Sequence, residues 1–207
     1  MASRILIAFY SRGGSVEALA NAIAEGAVEA GAEVRLRRAR ELVDETVMAR
    51  APGWLEAAQR MNALYEAPTL EDAAWADGIA LGAPTRFGSP ASELRAYLEG
   101  LGALWVQNAL VDKAGAGFTS TSTTHGGAET TILSLWPTLA HLGLVIVPNG
   151  YGQPLSRTAG TPYGSNSVSG GPERGPTAND LEIARHQGRR VARVAEALRA
   201  ARGVADS

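Results

Sequence analysis

Three short polar stretches hold the residue types best suited to chemistry. Ser11-Arg12-Gly13-Gly14-Ser15 sets two glycines and two hydroxyls just before Val16 and a run of helical periodicity. Unpaired backbone N–H groups and the positive end of a helix dipole draw an anion to such a place. The stretch has neither the lysine of a GxxxxGK[ST] loop nor a GxGxxG, which argues against nucleoside triphosphate hydrolysis and against a dinucleotide pyrophosphate. One reading is a site for a single phosphomonoester. The other is a tight turn at Gly13 and Gly14 with Ser15 as helix cap, and the loop alone leaves both open. Pro84-Thr85-Arg86-Phe87-Gly88 puts backbone amides beside an aromatic ring and a cation, suited to gripping the edge of a flat heteroaromatic ring. Ser120-Thr121-Ser122-Thr123-Thr124-His125, followed by Gly126 and Gly127, offers hydroxyls and amides able to stabilise negative charge on such a ring.

What must position these stretches is a repeated order of strand, loop and helix. Arg4 to Tyr10 reads as a strand, and Val16, Leu19, Ala20 and Ile23 then recur at helical spacing as far as Gly31. Glu33 to Arg38 alternates like a strand near a sheet edge. Gly78 to Leu81 is a third strand, followed by a loop over 82–89 and a helix from Pro90 to Leu101. Lys113 to Thr119 and Leu144 to Val147 are the fourth and fifth strands, separated by a helix from Glu129 to Leu142. A last helix runs from about Asn179 to Arg202. This alternation predicts an α/β domain over 1–207, a doubly wound, five-stranded parallel sheet with helices on both faces. Ligands of such sheets sit outside the carboxyl ends of the strands, where all three polar stretches fall. Together they point to a ligand with a phosphate and a ring, such as FMN.

Two segments lie outside the alternation. About 39–77 is an insertion with a short helix bearing Trp54, Leu55, Ala58, Met61 and Tyr65 on one side. About 148–177 is dense in Gly, Pro, Ser and Thr and too long for a passive connection, so a functional role is expected. Trp54, Trp75 and Trp136 read as packing residues.

With no cysteine in 207 residues, cysteine nucleophiles, thiolate metal sites and disulfides are excluded. No carboxylate or histidine cluster has metal-ligand spacing, so no metal is expected. A formal charge of -2 lacks the basic footprint of a nucleic-acid binder, and Arg185, Arg189 and Arg193 read as a solvated helix face. No apolar stretch approaches the roughly 18 residues of a membrane span, and the N-terminal run is too short for a secretory signal. A cytoplasmic protein is expected.

Arg4 to Glu17, Gly82 to Ser89, Phe118 to Thr130, Leu139-Ala140-His141, Val145-Ile146-Val147-Pro148, Gly160-Thr161-Pro162-Tyr163-Gly164 and Ile183 to Gly188 resemble the WrbA-type NAD(P)H:quinone oxidoreductases. Pro84 to Gly88 and Gly160 to Gly164 are the specific motifs, while the first loop is generic to flavodoxin-like proteins. The resemblance covers nearly the whole chain apart from the stretch between the second and third strands. It implies a flavodoxin-like sheet of order 2-1-3-4-5, FMN as cofactor, a homotetramer, and two-electron transfer from NAD(P)H to quinones. It also implies roles. Ser11 to Val16 hold the FMN phosphate, Thr85 to Phe87 contact the isoalloxazine with Pro84 and Gly88 beside them in the cofactor site, Ser120 to His125 meet its pyrimidine side, and His141 lies at the flavin. Trp105 and Phe87 belong to the substrate pocket, with Tyr163 reaching a neighbouring subunit's site or pinning its own loop. The first loop departs from the family pattern at Arg12, Gly13 and Ser15, and the third at Ser122, Thr124 and His125. The expected mechanism is ping-pong; the rival readings are a one-electron flavodoxin-type carrier and a non-catalytic regulator binding a transcription factor.

Overall fold

The computed structural model describes residues 2–170 and 175–205, with side chains through residue 202. Of the expected 148–177 loop, residues 171–174 lie outside the described residues.

β1 (Arg4–Phe9) runs through the centre of the sheet, where covering on both faces demands an unbroken apolar strand. Its odd residues Ile5, Ile7 and Phe9 enter one core, and its even residues Leu6 and Ala8 enter the other. α1 (Ser15–Glu29) covers the first face with Val16, Leu19 and Ile23. β2 (Glu33–Arg38) is the half-exposed edge its alternation foretells. The insertion holds three helices rather than one: α2 (Glu45–Met48), α3 (Trp54–Leu64) and α4 (Leu70–Trp75).

β3 (Gly78–Arg86) extends five residues past the predicted strand, so Gly82 to Arg86 are sheet rather than loop. Gly82, Ala83 and Pro84 pair with Phe118, Thr119 and Ser120. A two-residue turn at Phe87 (φ 53°) and Gly88 (φ 80°) then reverses the chain into β4 (Ser89–Pro90), antiparallel to β3. Positive φ at both central residues is what a type I′ hairpin turn requires. The Gly and Pro content of this stretch conceals a hairpin from a periodicity argument.

α5 (Ser92–Gly100), α6 (Gly102–Val106) and α7 (Ala128–His141) pack on the second face through Leu94, Leu98, Leu104, Leu135 and Leu139. β5 (Ala114–Thr121) is buried throughout, and β6 (Val145–Ile146) pairs with its first two residues. The sheet order β2-β1-β3-β5-β6, all parallel, is the expected 2-1-3-4-5.

The fifth position differs from expectation in being split. β7 (Asn166–Val168) returns to the same outer edge of β5 and pairs with Thr119, Ser120 and Thr121. The excursion between β6 and β7 is therefore tied to the sheet at both ends. Gln187 locks it: its side-chain Nε2 donates to the Gly117 carbonyl at 2.8 Å, and its Oε1 accepts from the Ser165 amide at 2.9 Å.

α8 (Ala178–Ala205) joins α1 on the first face. Glycines let the two backbones meet: a β-carbon on Gly26 would sit 2.0 Å from the Arg185 carbonyl oxygen, and one on Gly188 1.9 Å from that of Ile23. Arg185 and Arg189 are not merely solvated, since they pair with Glu25 and Glu29 of α1 at 2.8 and 2.7 Å. Among the described residues no helix is long and apolar enough to cross a membrane.

Candidate functional site

The first loop enters α1 through Gly14, whose φ of 99° is a left-handed conformation that a side chain disfavours. The Gly14 amide donates to the Ser11 hydroxyl at 3.1 Å. Among the described residues, the amides of Arg12, Gly13, Ser15 and Val16 meet no acceptor within the chain. A β-carbon on Gly13 would find nothing within 4 Å, so the concave side of the loop is open. The structure thus supplies converging donors at a helix N-terminus, the arrangement that holds a phosphate.

The loop is held from below by a buried charge. Arg38, at the end of β2, has no exposed surface; its Nη2 donates to the Ser11 carbonyl at 3.0 Å and its Nη1 to Glu41 Oε2 at 3.1 Å. Burial alone raises the Glu41 carboxyl, but the Arg38 hydrogen bonds and charge outweigh it and keep the group below the usual carboxylate range. The Arg38 guanidinium also lies over the ring of Tyr10, whose hydroxyl is pushed well up, first by burial and then by Glu93 and Glu41.

A cavity of about 570 Å³ opens at the carboxyl end of the sheet. Ser11, Arg12, Gly13, Ser15 and Val16 line it from the first loop, and Pro84, Thr85 and Arg86 from the end of β3. Ser120, Thr121 and Ser122 line it from the end of β5. Thr85 is fixed by a 2.7 Å hydrogen bond between its hydroxyl and that of Thr131. The three stretches expected to converge do so.

Part of the wall was not foreseen. Pro52, Gly53, Trp54 and Ala57 from the insertion complete one side, and Ser169, just after β7, another. Trp54, read from sequence as packing, presents its ring to the Arg12 guanidinium at 3.8 Å. No spacing rule links Trp54 to the first loop, because α3 approaches it only through the tertiary fold. Ser169 is held by its amide and hydroxyl donating to the Thr121 carbonyl at 2.8 and 3.1 Å. Ser169 lies within the Gly/Pro-rich 148–177 segment expected to be functional, though composition alone does not single it out.

Other expected residues stand outside the wall in one chain. Gly14 shapes the loop without lining the cavity. Thr123, Thr124 and His125 are exposed beyond Ser122. Phe87 is fully exposed at the hairpin tip, with Gly88 backed against Thr130. Trp105 and His141 line a second cavity of about 330 Å³ with Leu98, Gly102, Pro137 and Leu142, and no residue is shared between the two walls. Tyr163 packs edge-on against Trp136 at 5.7 Å, which pins its own loop.

Residues 4–153 match the family described as NADPH-dependent FMN reductase. The chain is 43% identical to NAD(P)H dehydrogenase (quinone) 3 of Rhizobium meliloti, covering 97% of this chain and 95% of that protein. It is 43% identical to NAD(P)H dehydrogenase (quinone) of Paracoccus denitrificans, over 96% of each. Among solved structures, a WrbA-like flavodoxin from Agrobacterium tumefaciens superposes with a TM-score of 0.66 at 24% identity, over 95% of this chain and 99% of that one. Flavodoxin 1 from Bacillus cereus superposes at 0.61 and 17% identity, over 92% and 98%. At these identities the structural likenesses establish the flavodoxin-like fold.

Proposed function

The chain belongs to the NADPH-dependent FMN reductase family, and on that premise we propose that it transfers two electrons from NAD(P)H to quinones with FMN as cofactor. The overall reaction is balanced as NAD(P)H, a proton and a quinone giving NAD(P)⁺ and a quinol. Bound FMN supplies the two-electron relay between donor and acceptor, chemistry no side chain here performs. The observation that carries the reading is the convergence of three loops on one cavity lined by the residues whose amides are unpaired, Arg12, Gly13, Ser15 and Val16.

The protein's part is binding, orientation and electrostatics. The amides of the first loop and the dipole of α1 hold the phosphate. Pro84, Thr85 and Arg86 would hold one side of the isoalloxazine, and Ser120, Thr121 and Ser122 would present hydrogen-bond donors able to stabilise negative charge on its pyrimidine side. Phe87, exposed at the hairpin tip next to Arg86, meets the exchanging partners only once the assembly closes around it. Donor and acceptor use the same space in turn, a ping-pong order, and no side-chain proton donor is required.

A homotetramer and a cytoplasmic location are part of the proposal. Phe87, Trp105 and Val106 leave large apolar surfaces exposed in one chain, which self-association would cover. Trp105 and His141 then reach an active site only as part of the assembly. NAD(P)H is an intracellular pool, which favours the cytoplasm.

The test is to add FMN to the purified protein, follow the visible flavin band under anaerobic NAD(P)H, and then add a quinone. Bleaching followed by recovery is expected, with parallel lines in double-reciprocal plots of steady-state rates. Failure to bind FMN overturns the reading, and intersecting lines overturn the ping-pong order.

A further inference from the structure

The insertion lies against the mouth of the first loop, and its charges are arranged in a particular way. Glu17, in the first turn of α1, is largely buried, and its Oε2 lies 3.7 Å from where a Gly14 β-carbon would stand. Left alone, this carboxylate would repel an anion in the loop. Arg60 of α3 neutralises it, donating from Nη1 to Glu17 Oε1 at 2.9 Å, and the Tyr65 hydroxyl adds a bond at 3.1 Å. The other nearby carboxylate, Glu41, is matched by Arg38. Arg12 differs: among the described residues no carboxylate pairs with it, and its guanidinium rests on the Trp54 ring. Both side chains line the cavity that holds the unpaired loop amides. Arg60 of the insertion therefore offsets the carboxylate beside the loop, and Trp54 of the insertion holds one positive charge at the cavity wall.

Resting on the reading that FMN binds here, we propose that Arg12 is a side-chain clamp on the FMN phosphate and that Trp54 of the insertion is its positioning residue. A guanidinium adds charge-assisted donors to a cradle otherwise made of backbone amides. Stacking on an indole restricts the side chain before the ligand arrives, so less rotamer freedom is lost on binding. The 39–77 segment is in this sense part of the cofactor site.

Riboflavin, which has the ring but not the phosphate, separates a clamp from a general structural effect. Binding of FMN and of riboflavin to the apoprotein is measured by flavin fluorescence for the wild type, Arg12→Ala, Trp54→Ala, Trp54→Phe and the Arg12→Ala/Trp54→Ala double variant, with thermal melts confirming that each is folded. Arg12→Ala is expected to weaken FMN about tenfold, leave riboflavin unchanged and flatten the salt dependence of FMN affinity. Trp54→Ala weakens FMN about threefold, Trp54→Phe restores most of that, and the double variant is no weaker than Arg12→Ala.

Equal losses for FMN and riboflavin overturn the clamp. Additive losses in the double variant overturn the positioning role of Trp54. An unchanged FMN affinity in Arg12→Ala, accompanied by weaker binding of NADP⁺ to the FMN-loaded protein, assigns the pair to the donor instead and overturns the proposal. A wild type that binds no FMN defeats the functional reading itself, whereas variants matching a wild type that does bind defeat only this inference.

Discussion

The guanidinium of Arg38 donates from Nη2 to the main-chain carbonyl of Ser11 at 3.0 Å, joining the end of β2 to the first residue of the loop after β1. Two neighbouring strands thus fix the loop, whose residues Arg12, Gly13, Ser15 and Val16 line the cavity with amides that meet no acceptor within the chain. The bond lies out of water, with Arg38 at 0% and Ser11 at 1% exposure, so its loss cannot be made good by solvent.

Arg38→Met should therefore cost about 3 kcal/mol in urea unfolding, because it leaves the Glu41 carboxylate buried without its partner. Arg38→Met/Glu41→Leu should recover a large part of that loss, as replacement of a whole buried pair by apolar groups often does. FMN affinity should fall in both variants, since both lose the bond to Ser11.

The same substitution should act oppositely at two glycines. Gly188→Ala drives a β-carbon to within 1.9 Å of the Ile23 carbonyl oxygen, where backbone rather than a flexible side chain must move. A loss of about 3 kcal/mol or more in denaturant unfolding is expected, as α1 and α8 are forced apart. Gly13→Ala meets open space and should change stability by less than about 1 kcal/mol while narrowing the mouth of the cavity. Paired denaturation and FMN titration separate the two effects.

Asp77 should contribute to acid sensitivity. Burial raises its carboxyl, but hydrogen bonds from the Arg4 side chain and amide, with the charges of Arg4 and Arg202, more than offset this and hold it below the usual carboxylate range. The folded state thus binds this proton less readily than the unfolded chain. The resulting stability is fully present above the ordinary aspartate range and is lost as pH falls through the lowered value. Asp77→Asn should cost about 2 kcal/mol at pH 7 and flatten the stability profile on the acid side, as measured by urea midpoints across pH.

Phe87 should be costly to the fold and useful to the site. It has φ 53° and a fully exposed side chain, so it gains no burial in one chain to offset the backbone strain. Phe87→Gly should raise thermal stability of the monomer by about 1 kcal/mol and lower kcat/KM for quinone several-fold. A destabilised variant with unchanged kinetics would contradict this.

Much of the architecture was legible in the sequence because its signals are local. Ile5 to Phe9 needs only its unbroken apolar run to read as a strand, whereas Gly13-Gly14-Ser15 before Val16 reads by itself equally well as an anion site or a capped tight turn. The convergence of residues 11–16, 84–86 and 120–122 followed from a general rule of parallel sheets, that loops at one end share a crevice. What remained hidden depends on contacts distant in sequence. Trp54 reaches Arg12 only because α3 folds back over α1, and β7 completes the sheet edge only after an excursion of nineteen residues over 147–165. Phe87 is exposed because a hairpin turn, invisible to hydrophobic period, sets its φ. Local propensity thus determined which elements exist and at which end the site lies, whereas long-range packing decided which side chains line it.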